Sequence, residues 1–75
     1  MAYADQYDSL VLQVMCDEPG PWVREELERE FSDRVEAADA LNRLRMRGLV
    51  IDMEGGLVMT TAAGRYAHAL DQNAA

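Results

Sequence analysis

The chain has no lysine, and all seven of its cationic side chains are arginine. It has a single cysteine, Cys16, so no internal disulfide can form, and one cysteine by itself cannot build a metal site. No stretch approaches the roughly 18 consecutive apolar residues that a membrane span requires. No basic region precedes an apolar stretch near the start, as it would in a signal peptide. We therefore expect a cytoplasmic protein without a membrane segment.

Catalytic patterns are equally scarce. The only histidine, His68, is far from Cys16 in sequence, and a Cys-His nucleophile needs both groups within hydrogen-bond reach. Gly55-Gly56 is too short for a phosphate-binding loop. We expect no enzyme activity, no cofactor and no metal. Cys16 is expected to be a small buried apolar group on the first helix; the alternative is an intermolecular or redox-active thiol.

Negative charge is abundant but unevenly distributed. Fourteen acidic residues against seven arginines give a net charge of −7. Residues 33–48 hold four arginines and three acids, a net charge of +1, whereas the remainder holds three arginines and eleven acids, a net charge of −8. One segment is therefore the only part of the chain that is not acidic.

Apolar spacing predicts a first helix over about residues 5–16. Tyr7, Leu10, Val11 and Val14 follow the i, i+3, i+4, i+7 pattern of a single buried stripe. Leu12 and Met15 lie off that stripe. They either pack on a second neighbour within the chain or form a dimer surface.

Prolines on either side of Gly20 end this helix in a loop. Trp22-Val23 is then a candidate for a very short strand. A second helix is predicted over about 23–31, since Val23, Leu27 and Phe31 recur every four residues. The charged residues between them, Arg24 and Glu28 included, are expected to point outward.

A third helix is predicted over about 33–47. Asp33 followed by Glu36 is a variant of the capping box that begins helices. Ala37, Ala38, Leu41 and Leu44 project to its inner face, and Gly48 is suited to end it.

Two strands are predicted next, over about 49–53 and 57–61, joined by a tight turn at Gly55-Gly56. Thr61 can cap a last helix over about 62–70, with Tyr66 and Leu70 facing inward. The expected architecture is a single α+β domain, mostly helical, that spans residues 1–75.

From Leu10 to Leu70, this order resembles the winged helix-turn-helix transcription regulators of bacteria and archaea: a three-helix core, a two-stranded wing hairpin and a C-terminal helix. The resemblance rests on three local motifs and on their order and spacing. They are Glu26-Leu27, the run Leu41-x-x-Leu44-x-x-x-Gly48-Leu49-Val50, and Thr60-Thr61-x-x-Gly64-Arg65.

The resemblance implies that helix 3 enters the DNA major groove and that the wing reaches an adjacent groove or phosphates. The implied contacts are Arg34 and Arg43 as leading contacts, Asn42 as a base reader and Arg47 as a phosphate clamp. Two other roles stay open for the arginines. One is structural: Arg45 and Arg47 complement the helix dipole in the last turn, and Arg43 pairs with Asp39 on the surface. The other is binding to an acidic partner.

Two partners are expected, the first from the resemblance and the second from the apolar residues that lie off the stripe of helix 1. Double-stranded DNA is the first, and a homodimer through Leu12 and Met15 of helix 1 and the C-terminal helix is the second. Glu36 and Asp39 occupy exposed positions of helix 3, and the wing tip carries no cation. The alternative function is therefore an acidic winged-helix module that binds a protein and not DNA.

Overall fold

The computed structural model describes residues 3–73, and the side chains of residues 6–71. It is a small, mostly helical α+β structure with four helices and one three-stranded antiparallel sheet among these residues. In chain order the elements are α1 (Tyr3–Asp17), β1 (Trp22–Val23), α2 (Arg24–Arg29), α3 (Arg34–Met46), β2 (Val50–Met53), β3 (Leu57–Thr60) and α4 (Ala62–Asn73).

The sheet has the strand order β1-β3-β2, so the hairpin formed by β2 and β3 gains the short strand β1 on its β3 side. Met53 pairs with Leu57 next to the turn, and Trp22 pairs with Val58. Gly55 and Gly56 turn the chain with φ values of +80° and +74°, a conformation in which a side chain would be strained. The Trp22-Val23 strand and the glycine turn are both as predicted.

The core lies between α1, α3 and the inner face of the sheet. Val11, Leu27 and Leu44 are almost completely buried, and Val50 and Val58 close the cluster from the sheet. Because alternate residues of a strand point to opposite faces, the outer face of the sheet carries Ile51 and Met53, which are 53% and 41% exposed.

The register of α1 differs from the predicted one. Leu12 and Met15 are 6% and 1% exposed and lie in the core, whereas Leu10 is 49% exposed. The prediction that Leu12 and Met15 form a dimer surface is therefore wrong. Apolar residues surround much of this helix, and contact with α3 selects the stripe that begins at the buried Asp8.

Helix α2 is shorter than predicted, because Val23 belongs to β1 and is 40% exposed. Leu27 is buried and Phe31 is half-buried, packed on the ring of Tyr7 with 6.0 Å between centroids. Arg24 also departs from the prediction, since its half-buried side chain lies against α3 instead of pointing outward.

Helix α3 begins and ends as predicted. The Asp33 carboxylate accepts a hydrogen bond from the Glu36 amide at 3.1 Å, and Gly48 follows the helix with a φ of +79°. Its inner face comprises Ala37, Ala40, Leu41 and Leu44. Ala38, predicted on this face, is only half-buried, and Ala40 takes its place.

Helix α4 is attached to the end of α3. The Thr61 hydroxyl donates to the Gly48 carbonyl at 2.7 Å and accepts from the Gly64 amide at 3.0 Å, which caps the helix. Gly64 is buried where a Cβ would overlap the carbonyl oxygen of Leu49. The absence of a side chain at position 64 therefore sets how closely α4 approaches the start of β2.

Helix α4 turns Tyr66 and Leu70 outward, whereas the sequence predicts that they face inward. Tyr66 is 67% exposed and Leu70 is 52% exposed, while Gly64, Ala67 and His68 face the rest of the molecule. Small residues occupy the inner positions next to Leu49, because α4 lies too close to Leu49 there for larger side chains. Among the described residues, none of the helices has both the length and the hydropathy needed to cross a membrane.

Candidate nucleic-acid interface

The outward stripe of α3 lies opposite its buried face. Four exposed residues make this stripe, at positions i, i+4, i+7 and i+11: Val35, Asp39, Asn42 and Met46. Val35 is 70% exposed and Met46 is 81% exposed. The stripe thus carries an apolar side chain at each end, with one carboxylate and one amide between them. The arginines of α3 lie along its two flanks.

Arg24 fills the junction between α2, α3 and β2. Its Nη2 donates to the Oδ1 of Asn42 at 3.1 Å and its Nε donates to Glu28 at 3.0 Å. Its Nη1 lies 3.8 Å from the carboxylate of Asp52 on β2. This single guanidinium therefore contacts α2, α3 and the hairpin at once.

Asn42, the predicted base reader, is oriented by that contact. Since a guanidinium can only donate, the amide oxygen must face Arg24 and the NH₂ group points away. An amide oxygen has two lone pairs, so it retains one acceptor site. The side chain is exposed and keeps the donor and acceptor that reading of adenine in the major groove uses.

Arg43, predicted as a leading contact, is paired with a residue that the sequence did not single out. Its Nη2 and Nε donate to Oδ1 of Asp8 at 2.9 Å and 3.1 Å, and the Asp8 side chain is only 8% exposed. These hydrogen bonds are the main reason that the pKa of Arg43 is raised above its ordinary value. The Nε and Nη2 donors that Arg43 directs at Asp8 do not reach DNA while this pair is closed.

The α1 spacing contains the signal that could have revealed this pair. Asp8 shares a face with Val11, Leu12 and Met15, so a register that buries Leu12 and Met15 also buries Asp8. A buried carboxylate requires a charged or hydrogen-bonding partner, and α3 is the arginine-rich element.

Arg34 and Arg47 mark the two ends of α3. Arg34 is exposed, and its side chain forms no hydrogen bond or ion pair with the residues that the structure describes. Arg47 is 61% exposed, and its Nη1 lies 3.8 Å from Asp8, too far for a hydrogen bond. Among the three arginines that are predicted to contact DNA, these two have the guanidinium groups least restrained by other side chains.

The hairpin contributes acids and apolar groups. Asp52 also lies 3.5 Å from Arg45, so α3 and β2 are joined by an exposed ion pair. The turn residues Glu54, Gly55 and Gly56 are exposed and include no cation. The positive groups beside the hairpin therefore come from α3, from its C-cap residue Arg47 and from the half-buried Arg24 of α2.

Cys16 is half-buried on α1 and packs against the core. Burial raises the pKa of its thiol; nearby Arg65 lowers it to a smaller extent. A raised pKa keeps the sulfur protonated at neutral pH, and a protonated thiol is a poor nucleophile and metal ligand. The environment suits the predicted packing role.

No family model matches the sequence, and neither a characterised protein nor a solved structure is significantly similar to it.

Proposed function

We propose that this chain is a winged-helix DNA-binding protein that inserts α3 into the major groove and acts as a transcription regulator. The observation that supports this most is the arrangement of α3: it follows α2 after a short turn, precedes an antiparallel hairpin and leaves its outward stripe uncovered. A helix held in this way by a compact core is the usual means by which a small domain reads base edges.

The contacts in this proposal differ by position on α3. Arg34 and Arg47, at its two ends, bind phosphates on either side of the groove. Asn42 reads a base edge, and the exposed Val35 and Met46 meet thymine methyl groups. Arg43 acts through Asp8, by fixing the rotation of α3 against α1.

Binding by one protomer is expected to be weak. Arg34, Arg47 and the partly exposed Arg45 give about two or three phosphate contacts, which corresponds to a salt slope of roughly −2 to −3. The net charge of −7 opposes even this approach to DNA.

A homodimer would double the phosphate contacts. Helix α4 is the element suited to form it, because Tyr66 and Leu70 create an apolar outward face. Residues 55–70 contain no acid, the longest such stretch of the chain. Two copies of a strongly acidic chain can meet there with Asp71 as the one acid of α4. A symmetric pair would present two α3 helices to successive half-sites.

The experiment is a fluorescence anisotropy titration of labelled mixed-sequence duplex DNA at 50 mM and 200 mM salt. The proposal predicts micromolar binding at the lower concentration that falls steeply at the higher one. Absence of binding at 100 µM protein in 50 mM salt would contradict it.

A second function is favoured by one specific observation. Val35 and Met46, among the most exposed apolar side chains of the described residues, lie on the same face of α3 as Asp39. An apolar stripe with an acid at its centre also suits a protein partner with basic character. In that case Met46→Ser would abolish partner binding, and DNA would not compete.

A further inference from the structure

A groove beside the candidate DNA interface, sharing Arg47 with it, opens between α1, the end of α3 and α4. Its volume is about 390 Å³, within the size range of small-molecule sites. Its floor is apolar, formed by Leu12, Leu44, Leu49 and Ala67. Its rim is polar and includes one exposed cation, Arg47, and one exposed acid, Asp71. The buried Asp8 also lines the groove, with its carboxylate paired to Arg43 at 2.9 Å.

The two rim charges are available to a ligand. Arg47 approaches the described carboxylates no closer than the 3.8 Å that separates it from Asp8, and Asp8 is already paired with Arg43 at 2.9 Å. Within the described part of the chain, the side chains of Asp71 and His68 make no hydrogen bond or ion pair. The rim therefore presents a cation and an anion that do not neutralise each other directly.

This combination of groups defines the chemistry of an occupant. We propose that the groove binds a free apolar α-amino acid, with its carboxylate on Arg47, its ammonium group on Asp71 and its side chain on the leucine floor. A simple carboxylate would be repelled by Asp71 and a simple amine by Arg47, whereas a zwitterion satisfies both. Ser9 and His68, also on the rim, supply hydrogen-bonding groups.

The position of the groove gives binding a consequence for DNA. Arg47 contributes to both surfaces, so an occupied groove withdraws one phosphate contact and lowers DNA affinity. This consequence rests on the proposed function, whereas amino-acid binding itself does not.

The test is an NMR titration of the isotope-labelled chain with L-leucine. A ligand this small is expected to bind with a dissociation constant on the order of 1 mM. Saturable shifts should concentrate at the amides of Ser9, Leu49, Ala67 and His68. Absence of saturable shifts up to 20 mM, or shifts confined to other parts of the chain, would overturn the proposal.

Two ligand analogues and four variants test the charge assignment. L-leucinamide lacks the anion and N-acetyl-L-leucine lacks the cation, so each should bind about threefold to tenfold more weakly than leucine. Arg47→Gln and Asp71→Asn should weaken leucine binding to a similar extent. The matched changes Arg34→Gln and Asp39→Asn, on exposed residues of α3 outside the groove, should leave it unchanged. An analogue that binds as tightly as leucine, or no effect of Arg47→Gln, would overturn the assignment.

Discussion

At the scale of single residues, the pair formed by Asp8 and Arg43 connects α1 with α3. Asp8→Asn removes the charge from hydrogen bonds of 2.9–3.3 Å to a group that is itself about one third exposed. We expect a loss of about 1–2 kcal/mol in the free energy of unfolding, measured by urea denaturation. Asp39→Asn, at an exposed position of α3, should change the free energy of unfolding by less than about 0.5 kcal/mol. Equal values for the two variants would show that the pair contributes nothing.

Cys16 gives a second prediction at this scale. Because burial raises the pKa of the thiol, less thiolate exists at a given pH in the folded protein than in the unfolded chain. Alkylation by iodoacetamide at pH 8 should therefore be slower in buffer than in urea. The contribution of the raised pKa to the free energy of unfolding is complete when the pH is below the pKa of the thiol in the unfolded chain. It is lost as the pH rises through the pKa of the thiol in the folded protein. Equal alkylation rates in buffer and in urea would contradict this environment.

The residue patterns predict where helices begin and end better than they predict which side chains contact each other. Asp33, Gly48 and Thr61 act within a few residues of themselves, so their capping roles could be deduced from sequence. Asp8 and Arg43 are separated by 35 positions, and nothing local specifies their meeting. The same limit applies to Arg24 and Asn42, whose contact depends on how α2 crosses α3.

At the scale of elements, helix faces were harder to predict than helix positions. Two apolar stripes overlap on α1; the one that contains Leu12 and Met15 is buried, and the same register brings Asp8 to Arg43. On α4, the size and apolar character of Tyr66 and Leu70 predict that they face inward. The close approach to Leu49 reverses this preference, and the distance between two elements is not encoded in either one alone.

Gly64→Ala tests that close approach. In an open helix the substitution would stabilise the protein by about 1 kcal/mol. Here the new methyl group would overlap the Leu49 carbonyl, and forced shifts of packed groups cost about 1–3 kcal/mol. We expect a lower melting temperature in a thermal unfolding experiment, whereas Ala63→Ser, at an exposed position next to it, should have little effect. A rise in melting temperature for Gly64→Ala would show that α4 is free to move away.

At the scale of the whole molecule, the proposed dimer through α4 depends on the distribution of charge. Leu70→Glu places an acid on the outward face of α4 and should convert a dimer into a monomer, as measured by light scattering. Leu10→Glu is the matched control, since Leu10 and Leu70 are 49% and 52% exposed but Leu10 lies on α1. A monomeric parent protein, or equal effects of the two variants, would contradict assembly through α4.

The proposed DNA surface is likewise a property of the whole molecule, since α3 supplies its positive groups and the rest of the chain opposes them. The most direct test compares Arg34→Gln with Arg65→Gln. Both remove one positive charge from an exposed arginine, but Arg34 lies at the start of α3 and Arg65 on α4, bonded to the Thr60 carbonyl.

Duplex binding by both variants is measured by anisotropy at 50, 100 and 200 mM salt. If α3 binds DNA, Arg34→Gln lowers affinity severalfold at 50 mM salt and reduces the salt slope by about 1, while Arg65→Gln retains the slope of the parent protein. Equal losses for the two variants would show that only total charge matters and would contradict insertion of α3 into the major groove.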